Sequence, residues 1–304
     1  MNIASFTVEE EQEGVRIDKF ITQELNSLSR SYLQKVIKNQ SLFVNEKPVK
    51  ASYPVKAGDE IRLEIPAEQE PEILPEEIPL DILYEDSDLL VVNKPKGMVV
   101  HPSAGHYTHT LVNAVMFHCH GQLSGINGIM RPGIVHRIDK DTTGALVICK
   151  NDIAHRSLAG QLAVHSITRR YIAIAQGYFA EDSFQITGNI GRHPVDRKKM
   201  AVLKSGGKTA ITNIKVLEKL KGYSLIECRL ETGRTHQIRV HLSNIGHPLV
   251  GDTVYGSSKP LYPDLQGQTL HAATLGFIHP STANYMEFTA PTPEYFTKLL
   301  NKLR

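Results

Sequence analysis

The stretch IVHRIDKDTTG, residues 134–144, places two aspartates beside a histidine and an arginine, between two apolar runs. A carboxylate such as Asp139, held near an arginine, stays ionised even where water is partly excluded, as a nucleophile or base requires. A structural salt bridge has the same appearance, and a solvated turn routinely carries carboxylates. Spacing alone leaves these readings open.

Asp141 is the rival carboxylate in this motif. Two close aspartates could act as general acid and base, as in glycoside hydrolysis, or could hold Mg²⁺ as in a nuclease. Lys140 separates them, and no other acidic cluster converges on the motif. We therefore expect Asp141 to be structural and to bond backbone in the turn.

Two other segments are rich in cations. Residues 230–242, LETGRTHQIRVHL, carry Arg239 directly after the apolar Ile238, which predicts a position at the core boundary. Arginine in such a position usually has a carboxylate partner. Residues 191–208 hold six lysines or arginines against one aspartate, with three glycines. This segment is a candidate phosphate clamp, although solvated basic loops are common.

Metal and cofactor chemistry have little support in the sequence. Five histidines fall within twenty residues, but there is no H-E-x-x-H pattern and no pair of cysteines. The glycine-rich nucleotide motifs and the G-x-S-x-G motif are absent as well. We expect no metal site and no cofactor. The histidines are His101, His106, His109, His118 and His120.

Composition is that of an ordinary globular protein. The 304 residues are 41% hydrophobic and 22% charged, with a net charge of +2, so any nucleic-acid signal must be local. Residues 1–14 are acidic and lack an apolar core, which argues against a targeting peptide. The apolar runs are too short to cross a membrane. Three cysteines without a C-x-x-C pair favour a reduced, cytoplasmic protein.

A stretch rich in proline and glutamate, residues 66–79, divides the chain. It predicts a small domain at 13–66, an acidic linker at 67–79 and a large domain at 80–304. Helical periodicity and short strands make the small domain α/β. In the large domain, apolar runs that include GIVHRID (133–139) predict strands, and helices are expected at 152–164 and 235–245. The uneven order predicts α+β architecture, with helices flanking a mixed, mainly antiparallel sheet.

The small domain resembles a known RNA-binding module. Its pattern R-I-D-K-F, then S-R-S-x-L-Q-x-x-I, then K-x-G-D is similar to the domain first seen in ribosomal small-subunit protein four. The resemblance covers residues 14 to about 65. It implies binding to structured RNA, chiefly through phosphates and shape. The candidate contacts on or beside its helices are Arg16, Lys19, Arg30 and Lys35.

The large domain resembles pseudouridine synthases of the RluA/RluD type. The motifs, in one order from about residue 81 to 295, are N-K-P-K-G, H-R-I-D-K-D-T-T-G-A-L-V-I, R-Y-I-A-I-A-Q-G, L-E-T-G-R-T-H-Q-I-R-V-H, GDTVYG and LHAATLGFIHP. Ile138 and Thr143 stand where the family often has leucine and serine, both conservative changes. The resemblance implies isomerisation of uridine to pseudouridine in RNA, most often large-subunit ribosomal RNA of the 23S type, without a cofactor.

The resemblance also implies roles for particular residues. Asp139 matches the essential aspartate, Tyr171 the tyrosine that packs on uracil, and Arg137 an arginine that displaces the target nucleotide. Ile238 and Arg239 match an aliphatic and basic pair, with Arg239 the expected partner of Asp139. The remaining candidate RNA contacts are Arg197, Lys198, Lys199 and Arg234.

Other functions stay open at the level of sequence. The chain could be a non-catalytic RNA-binding or ribosome-assembly protein with the same fold, in which Asp139 would be dispensable. It could also be a metal-dependent RNA hydrolase, which would cut strands and respond to chelators. A cytoplasmic monomer with RNA as its partner, and no membrane contact, is expected in either case.

Overall fold

The computed structural model describes residues 2–25, 30–65, 73–102, 106–128, 130–256 and 262–304. The chain divides into two compact units, Met1–Pro71 and Glu72–Arg304. The first six residues of the predicted linker lie outside the described part. So do the side chains of Arg30 and Lys35.

The first unit packs two helices on a small sheet. Its four strands form an antiparallel sheet in the order β1-β4-β2-β3. Both helices are amphipathic and bury one apolar face, which includes Ile17, Phe20 and Leu33, against the sheet residues Leu42 and Leu63. The elements are β1 (Asn2–Thr7), α1 (Ile17–Glu24), α2 (Arg30–Lys38), β2 (Leu42–Val44), β3 (Lys47–Pro48) and β4 (Glu60–Ile65).

The second unit is built on one ten-stranded sheet. Its order is β10-β9-β11-β12-β8-β13-β7-β6-β5, and β14 pairs with β13. The elements are β5 (Ile82–Glu85), β6 (Leu89–Lys94), α3 (Leu111–His118), β7 (Thr143–Cys149), α4 (Asp152–Ala163), β8 (Thr168–Gln176), β9 (Ser183–Arg192), β10 (Met200–Leu203), β11 (Lys208–Leu220), β12 (Tyr223–Leu230), α5 (Gln237–Asn244), β13 (Leu270–Ile278), β14 (Tyr285–Thr289) and α6 (Glu294–Leu303).

Both faces of the sheet are covered at its centre. Leu90 and Val92 of β6 belong to one apolar cluster, with Leu111 of α3 and Ile238 of α5, while the alternate residues of β6 belong to another cluster with α4. This alternation follows from the two-residue period of a strand. The centre of the sheet is therefore dry and rigid, and it can hold polar side chains that project from its edge.

The two halves of the sheet meet where β7 and β13 run parallel. Their pairing is short, His271 with Thr143 and Ala272 with Gly144, whereas every other pair in this sheet's described strands is antiparallel. The mixed, mainly antiparallel sheet expected from the sequence is thus confirmed, as are helices at 152–163 and 237–244.

One predicted strand is wrong. GIVHRID, residues 133–139, is irregular and makes a single bridge, between Ile134 and Ile148. Gly133 has a φ of +70°, and a Cβ there would lie 2.7 Å from the Cys149 carbonyl oxygen. Left-handed backbone at such a close approach ends strand geometry and lets the segment turn toward the sheet edge. Apolar content alone could not reveal this.

The helices of the second unit are short. The longest described helix, α4, has 12 residues, and none of the described helices is long and apolar enough to cross a bilayer. All three cysteines are free and buried. Two of these helices, α3 and α6, were not predicted from the sequence.

The parallel junction yields a stability prediction. Gly144 has a φ of +112°, and a Cβ on it would lie 2.2 Å from the carbonyl oxygen of Ala272. We expect Gly144→Ala to cost about 3 kcal/mol or more in free energy of unfolding, from strain and overpacking. The exposed Gly160, inside α4 with no atom within 4 Å of an added Cβ, is the matched control. Gly160→Ala should stabilise by roughly 0.5–1 kcal/mol. Urea unfolding measures both, and equal effects would contradict the packing described here.

Candidate active site

Two neighbouring cavities open at the ends of the central strands of the sheet. Their volumes are about 480 Å³ and about 280 Å³. The larger volume is within the usual range for small-ligand pockets. Five residues line both cavities: Arg137, Ile138, Asp139, His236 and Arg239. The loop before β7 and the start of α5 therefore form the wall between them, and the Asp139 carboxylate stands in that wall.

Arg239 binds two carboxylates at once. Its Nη1 donates to Asp139 Oδ2 at 2.9 Å, the contact expected from the sequence, while its Nε and Nη2 donate to the two oxygens of Asp252 at 2.7 and 2.9 Å. The Arg239 side chain is 6% exposed, that of Asp139 17% and that of Asp252 0%. Burial opposes the charged arginine, but the two carboxylates outweigh it and raise its pKa.

Asp252 fixes this arrangement from behind. Its Oδ1 also accepts the backbone N–H groups of Val254 and Tyr255 at 2.9 and 3.0 Å. Burial raises the pKa of Asp252, but hydrogen bonds and charge from Arg239 outweigh burial and leave that pKa lowered. The two bonds to Asp252 fix the guanidinium plane, and a third nitrogen, Nη1, donates to Asp139.

Lys94 holds the Asp139 loop from the other side. The Lys94 side chain is fully buried, and its Nζ donates to the carbonyl oxygens of Pro95, Met98 and Lys140 at 2.8, 2.8 and 2.9 Å. Three carbonyls match the three N–H groups of an ammonium. Burial lowers the pKa of Lys94 to about 7, and the charges of Asp141 and Asp139 oppose this. The lysine thereby joins the loop at 139–141 to the end of β6.

His236 approaches Asp139 from the turn before α5. Its backbone is left-handed, with a φ of +56°, and its Nε2 lies 3.9 Å from Asp139 Oδ1. Its Nδ1 is 2.8 Å from the Tyr255 hydroxyl, whose oxygen accepts the Met200 N–H at 2.8 Å. Burial, the largest cause, lowers the pKa of His236. If Tyr255 donates to Nδ1, the proton of the neutral ring is on Nε2 and faces the carboxylate.

Apolar groups form the floor of the larger cavity. Tyr171 of β8 is 7% exposed and Ile238 of α5 is 4% exposed, and Leu230 and Leu270 lie beside them. Burial raises the pKa of the Tyr171 hydroxyl. A planar, mostly apolar ligand portion would find an aromatic face here and an aliphatic one, with Asp139 in the wall beside it.

Arg137 is exposed and lines both cavities. Its Nη1 lies 3.5 Å from Nε2 of His101. Burial, together with the charges of Arg131 and Arg137, lowers the pKa of His101 to about 4. A neutral imidazole leaves the Arg137 guanidinium without a carboxylate partner in the described part of the chain, so its charge is available to a ligand.

The candidate RNA contacts lie on both units. On the first unit, Lys19 is exposed, and Arg16 makes two hydrogen bonds to the buried Asp18, at 3.1 and 3.0 Å. On the second unit, the basic segment is the β9–β10 hairpin rather than a free loop. Its tip exposes Arg197 and Lys198, with Lys199 partly buried beside Asp196.

Arg234, the last of these candidates, lines the larger cavity, and its Nε donates to the Thr209 carbonyl at 2.9 Å. The structure therefore brings Arg234 to Asp139's cavity, while Arg197–Lys199 sit on a separate element.

Asp141 has a different environment from the one expected. Among the described residues its carboxylate makes no hydrogen bond to backbone; its charge instead acts on Lys94 and Lys96, raising the pKa of each against the effect of burial. Its role as a structural residue stays a prediction.

One group in the described part could hold a metal ion by geometry. Ligand atoms of Asp86, Asp88 and His279 lie within 4.8 Å of one another. Asp86 already accepts from Tyr84, His279 and two backbone N–H groups. None of the three residues lines the cavities at Asp139. These oxygens are satisfied within the protein.

Several residues at the site escaped prediction. No role was assigned to Lys94, Tyr255 or Asp252 from the motifs that contain them, nor to Arg169, which directly precedes one. For Asp252 a signal existed, because a core-boundary arginine needs a carboxylate and GDTVYG supplies one. For Lys94 the signal was a lysine at the end of an apolar strand, where burial is unusual.

Known proteins are similar to this chain over its whole length. Residues 88–244 match the family model for RNA pseudouridylate synthase, and residues 15–61 match the S4 domain. An uncharacterized RNA pseudouridine synthase of Bacillus subtilis (strain 168) is 50% identical over 304 residues, covering 100% of this chain and 99% of the relative. Ribosomal large subunit pseudouridine synthase D of Zymomonas mobilis is 47% identical over 98% and 96%.

A solved structure agrees with the fold. Human RNA Pseudouridylate Synthase Domain Containing 1 superposes with a TM-score of 0.55 at 27% identity, covering 75% of this chain and 96% of that one. The similarity therefore extends from sequence motifs to the sheet that carries the two cavities.

Acid should destabilise the site through His136. Its Nε2 accepts the Val147 N–H at 3.1 Å, and burial, reinforced by Arg169, lowers its pKa to about 3. In the unfolded chain the ring has a pKa of about 6.5. Between these values the unfolded state binds the extra proton, so stability falls as pH falls below 6.5. The loss from this group should reach about 2 kcal/mol at pH 5.

Urea unfolding at pH 7 and pH 5 measures this effect. His136→Gln should reduce the pH dependence of the unfolding free energy, while substitution of the exposed His165 by Gln should leave it unchanged. An undiminished pH dependence in His136→Gln would show that the ring is not kept neutral by the fold.

The shared arginine gives a second prediction. Arg239→Ala leaves the buried Asp252 and the partly buried Asp139 uncompensated and should cost about 3–5 kcal/mol in unfolding free energy. Arg239→Lys should cost less, because it keeps the charge while losing the planar fork. Arg304 is the control: it makes the same two-bond contact with Glu218, at 2.9 and 2.8 Å, but is 51% exposed. Arg304→Ala should cost under about 1 kcal/mol. Similar losses at the two positions would contradict the energetic role given to burial.

Proposed function

The chain belongs to the RNA pseudouridylate synthase family, and on that premise we propose that Asp139 carries the isomerisation of uridine within large-subunit ribosomal RNA. The reaction breaks the bond from ribose C1′ to uracil N1 and rejoins C1′ to C5. It is an isomerase reaction on an RNA substrate. The observation that supports the assignment is the Asp139 carboxylate, 2.9 Å from Arg239 in the wall between two cavities.

Asp139 acts on the ribose in this proposal. A carboxylate can attack C1′ or remove the proton from C2′, and both routes need the ionised form, correctly aimed. Arg239 supplies that aim, because its other two donors are fixed on Asp252. One carboxylate oxygen is thereby held by Arg239, and the other is left to act on the sugar, with His236 3.9 Å away.

Tyr171 and Ile238 bind the uracil. A uridine in a duplex cannot present C1′ to a protein carboxylate, so it must leave the stack, at a cost of about a few kcal/mol. Stacking a base on an aromatic side chain returns about 1–3 kcal/mol. The buried ring of Tyr171 offers such a face, and the exposed Arg137 at the mouth of both cavities takes the place of the displaced nucleotide.

Docking on RNA is the task of the exposed cations. The first unit, with Lys19 exposed and Arg16 beside it, binds structured RNA in this proposal, and the hairpin tip at Arg197–Lys199 contacts phosphates near the target. The similarity to relatives named ribosomal large subunit pseudouridine synthase D supports 23S-type RNA, free or in an assembling subunit, as the substrate. We propose that the chain works as a cytoplasmic monomer, with residues 13–66 and 80–304 as its functional domains.

The central test separates chemistry from binding. Asp139→Asn should abolish pseudouridine formation, while affinity for RNA stays within several-fold because phosphate contacts dominate binding. Single-turnover conversion and RNA binding are measured on the same RNA. Asp141→Asn, two residues away, is the matched control and should retain most of the activity. Comparable conversion by wild type and Asp139→Asn would reject the assignment, and strand scission would favour a hydrolase.

Truncation tests the division of labour. Deleting residues 1–71 keeps Ile73 in the large core and the hydrogen bond from Asn113 to the Leu74 carbonyl. The truncated chain should fold and keep Asp139-dependent conversion at saturating RNA. Its binding should weaken, and the dependence of log affinity on log salt should become shallower as phosphate contacts are lost. A folded truncation whose saturated rate matches that of Asp139→Asn would show that the first unit helps to build the active site.

A further inference from the structure

Arg169 of β8 is a buried cation without an acidic partner. It is 7% exposed, and no ion pair involves it in the described part of the chain. Its Nη2 donates to the Glu231 carbonyl at 3.2 Å, while its Nε has no hydrogen-bond partner among the described residues. Arginine is rarely this buried unless it is paired, and an unsatisfied buried donor carries a desolvation penalty.

Two other arginines nearby have carboxylate partners, although Nε of Arg170 also lacks a hydrogen-bond partner among the described residues. Arg239 is fixed by Asp139 and Asp252, and Arg170, adjacent in the chain, donates to Glu287 at 2.7 Å. Arg169 differs from both because it has one backbone carbonyl for five N–H donors. A buried charge in this condition requires a reason other than the stability of the fold.

Its position supplies that reason. Arg169 lines the same cavity as Asp139, and it lies on the same face of β8 as Tyr171, two residues along the strand. Side chains two residues apart on a strand are roughly 6.5–7 Å apart along it. If one group of a chain-like ligand stacks on Tyr171, the neighbouring group of that ligand would therefore lie near the Arg169 guanidinium.

The opposite wall is shaped around the guanidinium. A Cβ on Gly233 would lie 2.6 Å from Arg169 Nη1, so a larger residue there would require the guanidinium to shift from its present position. The next residue, Arg234, lines the cavity too, and its charge adds to burial in lowering the pKa of Arg169. Two cations close together and without an acid repel each other, and an anion between them would relieve both the repulsion and the missing hydrogen bonds.

We propose that Arg169 and Arg234 form a phosphodiester subsite that binds one of the two phosphates flanking the uridine seated on Tyr171. Guanidinium groups match the geometry of phosphate oxygens, and a phosphate supplies the acceptors that Arg169 lacks. The inference rests on the proposed function, since RNA is the ligand. The subsite would also fix the position of the RNA backbone, since a base that stacks on Tyr171 without a phosphate at this subsite would not be held beside Asp139.

The test neutralises one phosphate at a time. A stem-loop that the wild-type protein converts is prepared with a methylphosphonate on the 5′ or the 3′ side of the target uridine. The nucleotide that carries the methylphosphonate has a 2′-deoxy sugar. The reference RNA has this sugar at the same position but an ordinary phosphate. Dissociation constants are measured for wild type, Arg169→Gln and Arg170→Gln, and thermal unfolding checks that each variant is folded.

We expect one of the two methylphosphonates to weaken RNA binding by the wild-type protein by about 10-fold or more. This is the effect of losing a hydrogen bond to a charged group. Arg169→Gln should bind the reference RNA more weakly than wild type by a similar factor. Its dissociation constant should not change further when that same phosphate is neutralised, because the contact is already gone. Arg170→Gln, on the opposite face of β8, should behave as wild type. If Arg169→Gln does not fold, Arg169→Lys takes its place. The wild-type dissociation constants for the neutralised and reference RNAs still test the subsite.

Two results would overturn the subsite. Wild-type binding could be equal for both neutralised RNAs and the reference, or the losses from Arg169→Gln and from neutralisation could multiply independently. Failure of the proposed function looks different: Asp139→Asn would convert the parent stem-loop at a rate comparable to that of the wild type. Coupling between Arg169 and one phosphate would then still be seen in binding alone.

Discussion

The site depends on one guanidinium that is shared by two carboxylates. Arg239 is buried, and it is compensated only because Asp139 and Asp252 both face it. The geometry is asymmetric: Asp252 takes two of its donors and is itself tied to backbone N–H groups, so Asp139 receives a single bond. Asp139 is therefore held through one oxygen, in the wall between the two cavities.

The fold is arranged so that these groups can meet. Asp139 and Arg239 are separated by 100 residues in the chain, and they meet because the loop before β7 and the start of α5 converge at the junction of the two half-sheets. Lys94 fixes that loop through the Lys140 carbonyl, and Gly144 lets β7 approach β13 closely. Arg169 lines the same cavity as Asp139, but it forms no ion pair with any residue that the structure describes. Arg239 is therefore paired with carboxylates of the protein itself, whereas Arg169 is available to pair with an anionic group of a ligand.

Sequence patterns predicted the sheet class, helices α4 and α5, and a carboxylate partner for Arg239, because periodicity and composition report burial directly. That this partner is Asp139 came from the family resemblance. They failed where a position depends on contacts distant in the chain. GIVHRID is as apolar as a strand, but Gly133 and the Cys149 carbonyl bend it away. Lys94 and Arg169 are residue types that usually lie at the surface, so only tertiary structure reveals their burial. The roles of the site residues came from family resemblance, since spacing could not separate a catalytic aspartate from a structural one.

The most direct measurement is a map of pseudouridines, at single-nucleotide resolution, in large-subunit ribosomal RNA from cells with and without this protein. Cells that lack it are complemented with wild type or with Asp139→Asn at matched protein levels. The account predicts that particular pseudouridines become uridines in the deletion, return with wild type, and stay uridine with Asp139→Asn. An unchanged map in the deletion would contradict ribosomal RNA as the substrate, and restoration by Asp139→Asn would contradict the central role of the carboxylate.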